Sequence, residues 1–149
     1  MDSKQIEKIL RAIPASKRYF IGVFSSDTLP LNIKIYPCSL ICNTDKQGKP
    51  GTHWQAMFIP NAHTCEFFDS FANQPKGEIK TFVNKYPNII INEKPLQLQI
   101  ETSCGPHVLF FIIKRSMGNS FKSIIKTLSQ FKYKDAFVKL YISHIAKSI

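Results

Sequence analysis

The chain has 149 residues, 44% hydrophobic and 20% charged, and this composition excludes a disordered chain and is sized for one domain with one sizeable core. The longest apolar run, Val108 to Ile113, is far short of a membrane span, and the polar start Met1-Asp2-Ser3-Lys4 lacks the apolar stretch of a secretory signal, so a soluble intracellular domain is expected. Twenty Lys and Arg against ten Asp and Glu give a net charge of +10, of which +7 falls in residues 111–149 and +3 in residues 1–18, while residues 19–110 are neutral. Basic ends around a neutral centre suit a polyanion such as nucleic acid, or simply a lysine-rich solvated surface.

In chain order, residues 3–13 read as an amphipathic helix with Ile6, Ile9, Leu10 and Ile13 on one face, capped by Asp2 or Ser3 and ended by Pro14. Tyr19 to Phe24 reads as a strand, Asp27 to Pro30 as a turn, and Asn32 to Ile41 as one or two short strands around Pro37. Asn43 to Gly51 is a polar loop. His53 to Ile59 and Thr64 to Phe71, joined at Pro60 to His63, form an expected hairpin. A helix is expected over 75–86, strands at Ile89 to Ile91 and Leu96 to Ile100, and helices from Gly105 to about Ser116, Phe121 to Phe131 and Lys134 to Lys147. Central strands followed by helices predict an α+β domain over residues 1–149.

Cys38, Cys42, Cys65 and Cys104 are scattered, with no C-x-x-C pair. Zinc through Cys38, Cys42, His63 and Cys65 is disfavoured by that spacing, so no metal site is expected and the cysteines should be free thiols. Polar, reactive residues stand in apolar frames in three segments: Gly51 to Met57, Glu66 to Phe71, and Gln97 to His107. Cys104 lies where a polar loop meets a helix, followed by Gly105, which admits close backbone approach, and Pro106, which suits a first helical turn. A thiol there faces unpaired N–H groups and the positive end of the helix dipole, which favour the thiolate. Such a nucleophile needs a base and the base an orienting group, and a hairpin could bring His53 and Asp69 together. Taken singly, a His–Trp strand start or an Asp after two phenylalanines reads equally as core or turn.

The segments Gly51-Thr52-His53-Trp54, Phe68-Asp69-Ser70-Phe71 and Gln97…Cys104-Gly105, with Arg18 to Pro30 before them, resemble the adenain family of viral cysteine proteases. That family comprises the adenovirus protease and its relatives in Polinton/Maverick elements and adintoviruses, and it shares a fold with the Ulp1-like deSUMOylating enzymes. The resemblance covers about residues 17–120. It implies a Ulp1/adenain-like α+β fold with a small mixed sheet and packed helices, Cys104 as nucleophile, His53 as general base and acid, and Asp69 as its orienting group. It also implies a glutamine, Gln97 or its rival Gln99, as side-chain oxyanion donor, and the two would share one face of a strand. Asp69 stands where the adenovirus enzyme has Glu, and Pro106-His107-Val108 replaces a second cysteine found in many relatives. Trp54 would wall the substrate cleft or lie in the core, and His63, His107 and His144 read as structural.

The resemblance further implies an endopeptidase acting on viral or mobile-element structural precursors at Gly-containing sites, within virions and the infected cell's nucleus or viral factory, as a monomer. No cofactor is needed for the chemistry, although DNA or a peptide activator would fit the family. The fold so implied puts the N-terminal and last helices in a layer remote from the thiol, and Lys122, Lys126, Lys132 and Lys134 there would bind double-stranded DNA. The alternatives are a deubiquitinase or deSUMOylase, a YopJ-like acyltransferase, for which the cofactor motifs are lacking, and a non-enzymatic basic nucleic-acid-binding protein.

Overall fold

The computed structural model describes residues 1–49, 53–98 and 102–149. Helix α1 (Ser3–Ala12) begins with a reciprocal capping box between Asp2 and Gln5 and buries Ile6, Ile9 and Leu10. Pro14 ends it, as expected, but also opens a further one-turn helix, α2 (Pro14–Lys17), at a position where its missing N–H costs nothing. Strands β1 (Phe20–Phe24), β2 (Cys38–Asn43), β3 (Trp54–Asn61), β4 (Thr64–Phe68) and β5 (Asn88–Ile91) lie side by side in chain order. The outer pairs are parallel and the two inner pairs antiparallel. Helix α3 (Gly77–Val83) connects β4 to β5, and α4 (Cys104–Ser116), α5 (Phe121–Gln130) and α6 (Lys134–Lys147) complete the chain.

Both faces of the sheet are covered, so the central strands are apolar almost without interruption. Side chains alternate across the pleat: Ile41, Ala56, Phe58 and Phe68 face α4 and α1, while Leu40, Cys42, Met57, Ile59 and Phe67 face α3. Helix α4 is apolar all round and lies in the middle of the larger cluster, buried from His107 to Ile113. The Phe111 ring stacks on Phe68 at 4.8 Å and meets Phe121 of α5 edge-on, while Phe110 meets Phe137 and Tyr141 of α6.

Of the strands expected over Asn32 to Ile41 only the one after Pro37 forms, and of the span Leu96 to Ile100 residues 96–98 are not in a strand, while Gln99 and Ile100 lie outside the described residues. Residues between Pro30 and Pro37 form a loop, since neither proline can donate to a ladder, and the strand begins only at Cys38. Leu96 and Gln97 are not in a strand, because both of their N–H groups turn onto one acceptor, the Ser70 carbonyl, at 2.7 and 3.0 Å. Helix α3 is shorter than the expected 75–86.

The far end of α4 is fastened by a bidentate pair: Arg115 Nε and Nη2 donate to Glu66 Oε1 and Oε2 at 2.7 and 3.0 Å, with the guanidinium over the Phe58 ring at 4.3 Å. Glu66 is buried in the apolar sheet. Glu66→Ala leaves the Arg115 charge without its partner and is expected to lower stability by about 3 kcal/mol. A denaturant titration checks this, and an unchanged midpoint would refute it.

Candidate active site

Three elements deliver the site. The β3–β4 register pairs Ala56 with Phe68, so the next residue of β4's path, Asp69, comes opposite Gln55, and His53 sits just before β3 begins. This is the hairpin geometry expected from the sequence. His53 Nε2 lies 3.0 Å from Asp69 Oδ1, at an angle bent away from the N–H direction. Phe71 stacks on the imidazole with ring centroids 4.9 Å apart and limits how it can turn.

Asp69 is completely buried, and each of its polar atoms is held. Gln55 Nε2 donates to Oδ2 at 2.7 Å, and the Phe71 N–H donates to Oδ1 at 2.7 Å. Asn92, just beyond β5, accepts from the Asp69 N–H at 3.1 Å and donates to its carbonyl at 2.7 Å. Gln55 and Asn92 were not singled out from the sequence. The signal for both was a lone amide inside an apolar strand pattern, Trp54-Gln55-Ala56-Met57 and Ile90-Ile91-Asn92.

Cys104 is the first residue of α4 and is part-exposed, whereas Cys38, Cys42 and Cys65 are buried in the α3-side cluster. Burial raises the Cys104 thiol, but hydrogen bonds from His53 and from the Trp54 and Gly105 N–H groups outweigh it and hold the thiol below its ordinary 9.0. Burial alone pushes Cys38 up to about 11 and is the largest cause lifting Cys65 to about 12. Burial likewise pulls His53 down, yet Asp69 and Cys104 together carry it to about 9. The two shifts, the thiol down and the imidazole up, both favour the thiolate–imidazolium form of the pair over the neutral one.

Gln97 Oε1 accepts from the buried Ser70 Oγ at 2.5 Å. This fixes the amide oxygen toward Ser70 and turns the NH2 end the other way. The rival Gln99, and the Gly51-Thr52 pair that opens the first segment, lie outside the described residues.

Trp54 is half-buried at the start of β3 and packs against the larger core. Its Nε1 donates to the Met1 carbonyl at 3.1 Å, and it walls a groove of about 490 Å³ with Met1, Phe24 and residues 43–49. His53, Gln55 and Phe71 wall a second groove of about 400 Å³. Among the described residues, no group of three or more His, Cys, Asp or Glu is arranged to hold a metal, and no helix is long and apolar enough to cross a membrane.

The remote basic layer needs correction. The Met1 side chain lies against the first turn of α4, where a Cβ on Gly105 would come within 3.1 Å of it, and Asp135 of α6 bonds Ser103. The N-terminal and last helices therefore border the thiol's end of α4, because burying that apolar helix requires covering it along its length. Lys122 and Lys126 on α5, and Lys132 after it, are exposed; Lys134 is half-buried, with Nζ donating to the Phe131 carbonyl at 2.7 Å.

No family model matches the chain. It is 29% identical over 107 residues to the cysteine protease S273R of African swine fever virus (isolate Tick/Malawi/Lil 20-1/1983), covering 61% of this chain and 39% of the relative. It is 29% identical over 103 residues to R355 of Acanthamoeba polyphaga mimivirus, which carries a thiol-protease name, covering 62% and 34%. The chain thus spans about two fifths or less of the curated relatives it matches. The crystal structure of the African swine fever virus pS273R protease superposes with a TM-score of 0.56 at 19% identity, over 90% of this chain and 63% of that one. The central domain of Lpg1148 from Legionella pneumophila superposes at 0.56 and 17%, over 99% and 97%.

Alkylation of Cys104 is expected to persist at mildly acidic pH, ahead of the other three cysteines. In His53→Ala the loss of the imidazolium removes the main stabiliser of the thiolate, so the alkylation profile moves toward higher pH. Mass-spectrometric mapping across pH checks both, and an unmoved profile would refute the pairing. The chain has the α+β fold of the pS273R protease and is similar in sequence to viral cysteine proteases.

Proposed function

We propose that the chain is a cysteine endopeptidase working through Cys104, His53 and Asp69, with Gln97 as oxyanion donor. The observation that carries this reading is the joint placement of an acidified thiol at a helix start, an imidazole raised to about 9, and a fully held carboxylate 3.0 Å from that imidazole. The thiolate adds to a peptide carbonyl. The oxyanion is met by the Gln97 amide and the Cys104 N–H at the positive end of α4, each such donor contributing roughly 3–4 kcal/mol to catalysis. The imidazolium gives its proton to the leaving amine, which departs. His53, now neutral, takes a proton from water, and the hydroxide equivalent releases the acyl group.

Substrates in this reading are protein precursors of a virus or related element, cut at Gly-containing sites in the infected cell. A second reading, removal of a ubiquitin-like protein, is favoured by the name of one relative, the SUMO-1 cysteine protease S273R of another African swine fever virus isolate. A fluorogenic peptide amide ending in Gly-Gly tests the chemistry shared by both. The wild type should cleave it, and Cys104→Ala should reduce turnover to background with the fold unchanged by circular dichroism. A fully active Cys104→Ala ends the proposal. Cleavage of a SUMO fusion many times faster than of the peptide would select the second reading.

The net charge of +10 supports double-stranded DNA as a partner, held by phosphates alone, with Lys122, Lys126 and Lys132 as contacts and Lys134 contributing less, since it is half-buried. About four phosphate contacts predict a loss of roughly a hundredfold in affinity for random duplex between 50 and 200 mM salt. A flat titration would reduce the charge to a solubility feature.

A further inference from the structure

Asp135 lies in the first turn of α6 and is mostly buried, far in sequence from Cys104, His53, Asp69 and Gln97. Its carboxylate gathers three donors. Ser103 Oγ and His107 Nε2 both donate to Oδ1, the latter at 2.9 Å, and the Leu98 N–H donates to Oδ2 at 3.2 Å. Burial opposes the charge on Asp135, but these donors hold its carboxyl below the ordinary value, so it stays ionised. His107, completely buried, is held low chiefly by that burial, so it is a neutral N–H donor.

The donors are not arbitrary. Ser103 immediately precedes Cys104, and its side chain leaves the α4 N–H groups uncapped in order to reach Asp135. Leu98 immediately follows Gln97. His107 lies one turn into α4, with its N–H on the Ser103 carbonyl at 3.0 Å. One carboxylate therefore ties the residue after the glutamine to the residue before the cysteine. Ser70 holds Gln97 from the other side, through its carbonyl and hydroxyl. An oxyanion hole made from one side chain and one helix-start N–H works only if these two donors keep a fixed separation, since they must converge on one oxygen.

We propose that Asp135 is a positioning residue that sets the distance between the two oxyanion donors, Gln97 and the Cys104 N–H. This rests on the protease reading above. A purely structural role would make Asp135 a link between α4 and α6, lost together with stability and with no signature in turnover. A role in transition-state geometry lowers kcat, spares KM, and leaves the thiol–imidazole pair untouched, because the Asp135 carboxylate is bonded by Ser103, His107 and Leu98, whereas His53 pairs with Asp69.

The experiment uses the full chain with the Gly-Gly peptide amide and a peptide aldehyde ending in glycinal, whose thiol adduct carries an oxygen in the oxyanion position. Cys104→Ser is the control for the underlying reading: if it keeps full activity, the protease assignment itself fails and the proposal with it. With that control silent, Asp135→Asn is expected to lower kcat at least about tenfold, below the 10²–10³ of removing a donor outright. KM should stay within about twofold. Aldehyde affinity should fall in parallel with kcat, and the pH profile of Cys104 alkylation should stay unmoved. Ser103→Ala, which removes one donor without exposing a charge, gives the same pattern at smaller size and serves if Asp135→Asn does not fold. Asp135→Glu, which keeps the charge but lengthens the reach, should restore stability more than kcat. An unchanged kcat in folded Asp135→Asn or Ser103→Ala, a loss confined to KM, or a shifted alkylation profile would each overturn the proposal.

Discussion

Everything in this fold follows from burying α4. A helix apolar on all sides has to be enclosed, and it is: by the sheet on one flank and by α1, α2, α5 and α6 around the rest. An enclosed helix cannot slide or rotate without opening the core, so its first residue is a fixed point in space. That residue is Cys104. Core packing thus does for the thiol what a loop could not, placing it against an imidazole, His53, that arrives from a different part of the chain. The Glu66–Arg115 pair fastens the C-terminal end of the same helix to β4, the strand whose path continues into Asp69. The register of the sheet and the position of the helix are therefore coupled at both ends of one strand.

Two imidazole–carboxylate pairs flank the start of α4, and their opposite behaviour is informative. His53 and His107 are each about 3 Å from a carboxylate oxygen and each loses hydration on burial. His53 is raised because it has two favourable partners, Asp69 and the Cys104 thiolate, and together they exceed the cost of burial. His107 is lowered because it is buried deeper, has the one carboxylate, and feels the charge of Lys139. The same pair of residue types therefore yields a raised imidazole beside Cys104 and a lowered one, one turn inside α4. Environment, not residue identity, assigns the roles.

Much of this was legible from residue order. The hairpin could be read because its strands are close in sequence and its apolar spacing is regular, and this brought His53 and Asp69 together. The place of Cys104 at a helix start could be read from Cys104-Gly105-Pro106 before a long apolar run. Within the strand expected at Leu96 to Ile100, residues 96–98 are not extended into a ladder, because the N–H groups of Leu96 and Gln97 are claimed by the Ser70 carbonyl despite the apolar alternation. Gln55 and Asn92 were hidden because an amide inside a strand pattern reads as a blemish until its partner is known. Asp135 was hidden by distance: nothing within the helical pattern from Lys134 to Lys147 says that its first acidic residue reaches back to Ser103. The basic ends were read as a remote layer because charge counts carry no geometry, whereas the need to cover α4 draws both chain ends to its start.

The held carboxylates suggest how so small a framework keeps several polar groups in register. Asp69 and Asp135 are buried carboxyl groups, and a buried polar group is tolerable only when its oxygens are satisfied by donors. That requirement runs in both directions. Each carboxylate fixes its donors as firmly as they fix it, because releasing any one donor leaves a desolvated oxygen behind. Asp69 so binds Gln55 of β3, the Phe71 backbone and, through its own backbone, Asn92 beyond β5; Asp135 binds the Leu98 backbone and the Ser103 side chain. Each of these links joins parts of the chain that local structure would leave independent. The apolar core decides where α4 lies, and the two buried carboxyl groups fasten the segments around its first residue to the sheet and to α6.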